Sequence, residues 1–219
     1  MPDAPPRPRL IGARHTHGVT SASDPRIEAF WADARIRAKL NRIEAYSGPG
    51  VSDTLPPPAW SFGEDPQTAD ELLELVLTGR KTATASALGD YELEARERSR
   101  AEGPGNPEGD LLVDTDLDLA LPRPGLLSIL LDGTGRPRAL IRTTDVSVVR
   151  LGDVTTEHAR REGEGDGSLQ HWQRVHREFF DRSERLEEPV DDDTMVVLER
   201  FEVLVPAEAR RAARRHGIG

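Results

Sequence analysis

Gly79-Arg80-Lys81-Thr82-Ala83-Thr84-Ala85-Ser86 is the stretch on which the reading of the chain turns. It follows an amphipathic run, Asp65 to Thr78, with Asp65 placed as N-cap and Pro66 at the first helical position. Gly79 falls where a left-handed residue closes a helix. From Thr82 the pattern has period two, with hydroxyls at Thr82, Thr84 and Ser86 on one face and Ala83, Ala85 and Ala87 on the other. That spacing predicts a short strand that packs closely through its alanines and lines a pocket with hydroxyls. Lys81 is expected at the mouth of that pocket.

Lys81 stands out by composition as well. Of 29 basic residues only Lys39 and Lys81 are lysines. A lysine kept in an arginine-rich chain can do what arginine cannot, which is to give up its proton near neutral pH when partly buried and act as a general base. The other reading is an ordinary surface cation beside Arg80.

With 219 residues and 36% hydrophobic content, one domain with a sizeable core and extensions is expected. The net charge of −10 and a sequence pI of about 5.1 argue against a broad phosphate-tracking surface, so no DNA partner is expected and any nucleic-acid contact should be local. There is no cysteine, hence no disulfide framework and no thiolate metal site. No apolar run approaches the roughly 20 residues that cross a bilayer, and the Pro- and Arg-rich N-terminus lacks the apolar core of a leader. No membrane association and a cytoplasmic location are therefore expected. The sequence carries no signal of oligomeric state.

Outward from the centre, residues 1–23 read as a disordered extension, in which His15 and His17 are more readily incidental than metal ligands. Residues 24–55 read as a helix from Asp24 to about Tyr46, with Ile27, Phe30, Trp31, Ala34, Ala38 and Ile43 near helical spacing, followed by a Gly/Pro linker. Trp60 and Phe62 either stack on a base or plug the core. Residues 90–123 read as a surface excursion, helix-like and highly charged from Tyr91 to Glu102, broken by Gly103-Pro104-Gly105-Asn106-Pro107, and followed by alternating Asp114, Asp116 and Asp118 as a solvated face. Leu126–Leu131 and Arg138–Val149 form a hairpin around Asp132-Gly133-Thr134-Gly135. A short helix from Thr155 or Thr156 carries His158, Arg161 and Glu162. After the glycine-rich Gly163–Gly167 segment, Ser168 caps a longer helix to about Leu186, with Trp172, Val175, Phe179 and Phe180 as a core stripe. Thr194 to Val205 is the closing strand, and residues 207–219 are a basic tail. With antiparallel-type strands and helices between them, the class is α+β, a small barrel-like domain with a preceding helix.

The ordered pieces resemble the ASCH domain, which is similar to the RNA-binding PUA fold. The matching text is Trp60-Ser61-Phe62-Gly63, Ala69 to Leu73, Gly79 to Thr84, Leu127 to Gly133, and His158 to Asp166. Ser168, Trp172, Phe179-Phe180 and Val197 to Phe201 complete it. The likeness spans roughly residues 56–206, with an excursion from Ala95 to Ala120 longer than the usual connection. It implies a PUA-like β-barrel with a cleft and a role on RNA or a modified nucleoside, either as a ribonuclease on single-stranded RNA or as an N4-acetylcytidine amidohydrolase. In the amidohydrolase branch the catalytic set corresponds to Lys81, Thr84 and Glu162. No metal or other cofactor is implied.

In the amide version a neutral Lys81, its pKa lowered by an apolar or cationic surrounding such as Arg80, would take the Thr84 proton. Glu162 would orient the base or protonate the leaving amine. In the ribonuclease version Lys81 would stabilise a phosphorane, Glu162 would accept the 2′-hydroxyl proton, and Thr82, Thr84 or Ser168 would hold the phosphate. Arg80, Thr82, Ser86, Trp60, Glu164, Asp166 and Ser168 are the candidate substrate-binding residues. A spacing of three puts Lys81 and Thr84 on opposite faces of a regular strand, so either chemistry requires Lys81 in the loop after Gly79 or a bulge. A non-catalytic module binding RNA or a nucleotide through the same cleft is the alternative from a different class.

Overall fold

The computed structural model describes residues 24–40, 55–101, 114–182 and 189–217. The expectations for residues 1–23, for the chain from Asn41 to Thr54 and for Leu186 lie outside the described residues. Five strands form one sheet in the order β1-β3-β4-β5-β2. They are β1 (Ala59–Trp60), β2 (Ala83–Ala87), β3 (Leu127–Leu131), β4 (Pro137–Arg150) and β5 (Met195–Val205). All pairings are antiparallel except β1 with β3, which is parallel. The strands are antiparallel as expected except for that one pair, and the barrel-like sheet is not closed, since its edge strands β1 and β2 do not pair with each other. The class is α+β.

The elements form where residue chemistry places them. Helix α1 (Pro25–Arg37) is capped by Asp24, whose carboxylate accepts the Arg26 N–H. It ends well before Tyr46, because Lys39 sits at φ 55, a left-handed conformation that a helix cannot continue through. Helix α2 (Pro66–Leu77) has Asp65 accepting from the Gln67 and Thr68 N–H groups and Gly79 at φ 74 just beyond it. Two further helices, α3 (Leu88–Ala101) and α4 (Asp114–Ala120), lie within the excursion. The acidic stretch from Asp114 is a short helix, with Asp118 exposed. Helices α5 (Thr156–Glu162) and α6 (Leu169–Asp181) are capped by the Thr155 and Ser168 hydroxyls. The tail is helix α7 (Ala207–Arg215), which buries Ala209, Ala212 and Ala213.

Both faces of the sheet are covered. On one, Ala85, Ala87, Val196 and Leu198 meet Ala159, Trp172, Phe179 and Phe180 of α5 and α6. Farther along that face, Leu127, Ile129, Leu140 and Leu204 meet Ile27, Trp31 and Ala34 of α1. On the other, Ile141, Phe201 and Val203 meet Trp60, Phe62, Leu72, Leu73, Val76 and Ala209. A fully buried Leu72 or Phe180 contributes about 1.5–3 kcal/mol to each layer. The first helix thus contributes Ile27, Trp31 and Ala34 to the core, and α7 contributes Ala209. Gly79 makes the docking of α7 possible: a Cβ there would lie 2.2 Å from the Ala213 backbone nitrogen.

Candidate functional site

Lys81 lies in the loop between α2 and β2, outside the strand, one of the two arrangements that the chemistries considered above require. Its N–H and that of Arg80 both bond the Leu75 carbonyl, and the Thr82 N–H donates to the Arg161 carbonyl, which straps the loop across the end of α5. The side chain is 0% exposed, so Lys81 is not at a pocket mouth but inside the protein. The two faces of an alternating strand are distinguishable in sequence; whether another segment covers one of them is not.

Lys81 Nζ donates to Glu162 Oε2 at 2.8 Å and to Glu164 Oε1 at 2.7 Å, and lies 5.4 Å from the Phe62 ring centroid. Glu162 is the last residue of α5, one turn after His158, so both project from the helix's buried face. Its other oxygen, Oε1, accepts the Trp172 Nε1–H at 2.8 Å and the His158 Nε2–H at 3.0 Å. Gly163 at φ 68 then ends the helix and turns Glu164 back toward the same ammonium. A Cβ at Gly163 would lie 2.3 Å from the Arg80 carbonyl oxygen, so only glycine lets these two chain segments come this close. The Glu164 Oε2 atom is buried and has no hydrogen-bond partner.

His176 completes the cluster. It is wholly buried on α6 and stacks on Trp172, with centroids 3.9 Å apart and planes 18° off parallel. The Trp172 carbonyl 3.0 Å from its Nδ1 can only accept, so Nδ1 carries the proton and Nε2 presents a lone pair. That lone pair stands 3.7 Å from Glu162 Oε1. Sequence reading missed His176; the available signal was a polar residue at the i+4 position from Trp172 on an otherwise apolar stripe.

The charges sort by partner. Burial alone would pull the Lys81 pKa down, but the Glu162 and Glu164 carboxylates outweigh it and hold the ammonium above its ordinary value. This corrects the neutral Lys81, since its neighbours are two anions and Arg80 points elsewhere. Burial pushes Glu162 up, yet Lys81 and the two histidines overcompensate and leave it well below the usual carboxylate range. Glu164 is left as the second anion beside one cation. Burial, reinforced by the charge of Glu162, outweighs Lys81 and raises Glu164 to about 7. Burial lowers His176 to about 4. At neutral pH the site therefore holds a charged lysine, a charged Glu162, a neutral His176 and a Glu164 poised between its two forms.

Glu162, Glu164 and His176 bring ligand atoms within 4.8 Å of one another, a spacing compatible with a metal ion. The Lys81 ammonium already bridges the two carboxylates, so a cation there would compete with it.

The other predicted residues fall into two places. Thr82, Thr84 and Ser86 are buried in and beside β2, Thr84 directly across from Glu199, and the Thr84 hydroxyl has no hydrogen-bond partner. Trp60 packs edge-on against Phe62 within the core at 8% exposure. Arg80, Asp166 and Ser168 instead border an open pocket of about 400 Å³, together with Arg160, Gly163, Gly165, Gly167 and His216. The sequence reading had assigned no role to Arg160 or His216. No helix among the described residues is long and apolar enough to cross a membrane.

The ASCH domain family model matches residues 58–103 and 114–205, and its gap falls inside the excursion. Among solved structures, the ASCH domain from Lactobacillus crispatus JV V101 is 25% identical with a TM-score of 0.61, covering 85% of this chain and 99% of that one. Protein EF3133 from Enterococcus faecalis V583 is 26% identical with a TM-score of 0.58, covering 84% and 92%. A comparison with curated proteins found no match. With the matched segments running from β1 through β5 and enclosing Lys81, Glu162 and Glu164, the chain belongs to the ASCH domain family.

Proposed function

We propose that the protein is a hydrolase acting on RNA or a modified nucleoside, with Lys81, Thr84 and Glu162 as its catalytic set and Glu164 added as the proton carrier. The observation that carries this reading is the buried Lys81 ammonium clasped by two carboxylates of unequal basicity. Pairs of titratable groups pushed apart by their surroundings are how a fold separates a charge stabiliser from an acid–base group. Lys81 stays protonated and stabilises negative charge that builds in the transition state. Glu162, saturated by Lys81, Trp172 and His158, orients it. Glu164 has one oxygen free to take a proton near neutral pH.

On RNA, Glu164 accepts the 2′-hydroxyl proton as that oxygen bonds to phosphorus. The 5′-oxygen takes a proton from water as its bond to phosphorus breaks, and Glu164 returns its proton to the resulting hydroxide, giving a 2′,3′-cyclic phosphate and a 5′-hydroxyl end. On N4-acetylcytidine, Thr84 Oγ1 attacks the amide carbonyl and Glu164 passes the hydroxyl proton to the departing cytidine amine. Water then releases acetate from the threonine ester. The complete burial of Lys81 favours one other reading, in which the cluster only shapes the wall of a site that binds RNA or a nucleotide without turnover.

Product chromatography after incubation with single-stranded RNA and with N4-acetylcytidine tests this, in EDTA and again with added magnesium. Lys81→Ala and Glu164→Gln are run beside the wild type, with thermal melts to confirm folding. Turnover in EDTA that both folded variants lose supports the proposal. Turnover only with magnesium moves the chemistry to an ion held by Glu162, Glu164 and His176, and no turnover leaves the binding module.

A further inference from the structure

We infer that the open pocket bounded by Arg80, Arg160, the Gly163–Ser168 loop and His216 is an anion site that holds a phosphate group of the substrate. The protein then takes phosphorylated nucleosides or RNA in preference to free nucleosides. The inference deepens the proposed nucleic-acid or nucleoside reading and rests on it for the identity of the organic part.

The pocket lining carries two arginines against one carboxylate, in a chain that is acidic overall. Acidic residues outnumber basic ones 39 to 29, and Arg26, Arg138, Arg142 and Arg161 each have a carboxylate partner. Arg80 and Arg160, both exposed, have no ion pair among the described residues, and they converge on one cavity. Guanidinium groups recognise phosphate through paired N–H donors, and two of them on one concavity form the usual clamp for it. The single acidic group on the lining, Asp166, is committed to the loop itself: its Oδ1 accepts the Ser168 N–H at 2.8 Å.

The loop shapes the wall of the pocket. Gly163, Gly165 and Gly167 have φ of 68°, 55° and 70°, while Glu164 and Asp166 between them do not take positive φ. The Gly163 and Gly167 N–H groups donate to the Ala159 and Glu164 carbonyls and the Ser168 N–H to Asp166, so the loop is held in shape by its own bonds and the arginines are the anion-binding groups. The space beside Gly167 is open, with nothing within 4 Å of where a Cβ would stand. Ser168, which caps the 13-residue α6, adds a hydroxyl and places the positive end of that helix at the same wall. A cavity of about 400 Å³ has room for a nucleoside monophosphate. Position fits as well, since Arg80 adjoins Lys81 and Gly163 adjoins Glu162. A phosphate held here would stand on the outer side of the wall whose inner side is the ion cluster.

Equilibrium binding measured calorimetrically tests this without requiring turnover. The probes are inorganic phosphate, cytidine, 5′-CMP and a short single-stranded RNA lacking terminal phosphates. The proteins are the full-length wild type, Arg80→Ala, Arg160→Ala and the double variant, each checked by a thermal melt. A phosphate clamp should make 5′-CMP or the RNA bind at least about tenfold more tightly than cytidine, with the advantage falling about tenfold in each single variant and vanishing in the double. Tighter binding of 5′-CMP than of the RNA assigns a phosphomonoester; the reverse assigns the RNA backbone. Equal affinity for cytidine and both phosphorylated probes, no binding of any, or an advantage that survives in the double variant overturns the inference. Turnover of N4-acetylcytidine with no phosphate preference would leave the hydrolase reading standing without it. Phosphate preference without turnover would do the opposite.

Discussion

Arg80 and Lys81 are consecutive in the chain and sit in different solvents. Arg80 is exposed and lines an open pocket, whereas Lys81 is sealed behind it with two carboxylates, two histidines and a tryptophan. The glycine-rich turn after α5 is the partition, with Gly163 against the Arg80 carbonyl and Glu164 reaching inward. The contrast shows how one short motif can serve two electrostatic tasks. Outside, water screens the charges and leaves the arginines free for a ligand. Inside, low dielectric makes each charge depend on its partner, so the ammonium is fixed and the surplus anion becomes the titrating group.

Removing the inner cation should break this contrast most severely. Lys81→Met strands two buried carboxylates, and the loss of one partner from a buried ion cluster costs about 3–5 kcal/mol. Urea unfolding at pH 7 should show a loss of that size, which shrinks near pH 5 as Glu164 takes up a proton. A loss below about 1 kcal/mol would mean that water reaches the cluster. Next in size is Glu164→Gln. An acid whose folded pKa is raised destabilises the fold above its unfolded pKa. The wild type should therefore lose up to about 3 kcal/mol against the variant as pH rises from 4.5 to about 7. His176 works in the opposite sense, its contribution being lost as pH falls from 6.5 toward about 4, and it is common to both proteins, so the difference isolates Glu164. A flat difference across that window would place Glu164 in water.

The partition itself can be tested by methyl groups. Gly163→Ala sets a Cβ 2.3 Å from the Arg80 carbonyl at φ 68, and Gly167→Ala meets nothing within 4 Å at φ 70. The backbone strain is shared, so both should lose about 1 kcal/mol for the left-handed conformation, and Gly163→Ala should lose about 1–2 kcal/mol more for the clash. Equal losses would show that the loop yields at Gly163.

Much of this was legible in residues. Asp65-Pro66 and Gly79 bound α2 in sequence as they do in space, the Asp132–Gly135 cluster marked its hairpin, and the His158–Glu162 spacing placed both on one helical face. The corrections share a cause, which is that local pattern does not say what covers a surface. Alanines at 209, 212 and 213 have helical spacing, but their arginine neighbours made α7 read as a solvated tail when its small side chains are what let it approach Gly79. Asp114, Asp116 and Asp118 left the type of their segment undecided, because the seven residues of α4 are too few for periodicity to settle it. Lys81 was legible as unusual and illegible as buried, since its partners come from residues about eighty positions away.

The smallest expected effect is the most diagnostic of the two-solvent contrast. Arg80→Ala and Arg160→Ala remove exposed side chains that have no ion pair among the described residues, so each should change unfolding free energy by no more than about 0.5 kcal/mol. For Arg80 the same should hold from low to high salt, whereas Arg160 also attracts Glu157, an exposed pairing that salt screens to a small effect. Stability that instead falls by 1 kcal/mol or more in either variant would make the arginines part of the fold, with Arg80 supporting the wall that seals Lys81. A neutral result carries weight because the inner and outer cations are chain neighbours. A mutation that leaves the melt untouched at Arg80 and another that collapses it at Lys81 would locate the boundary between ligand-directed and fold-directed charge within a single peptide bond.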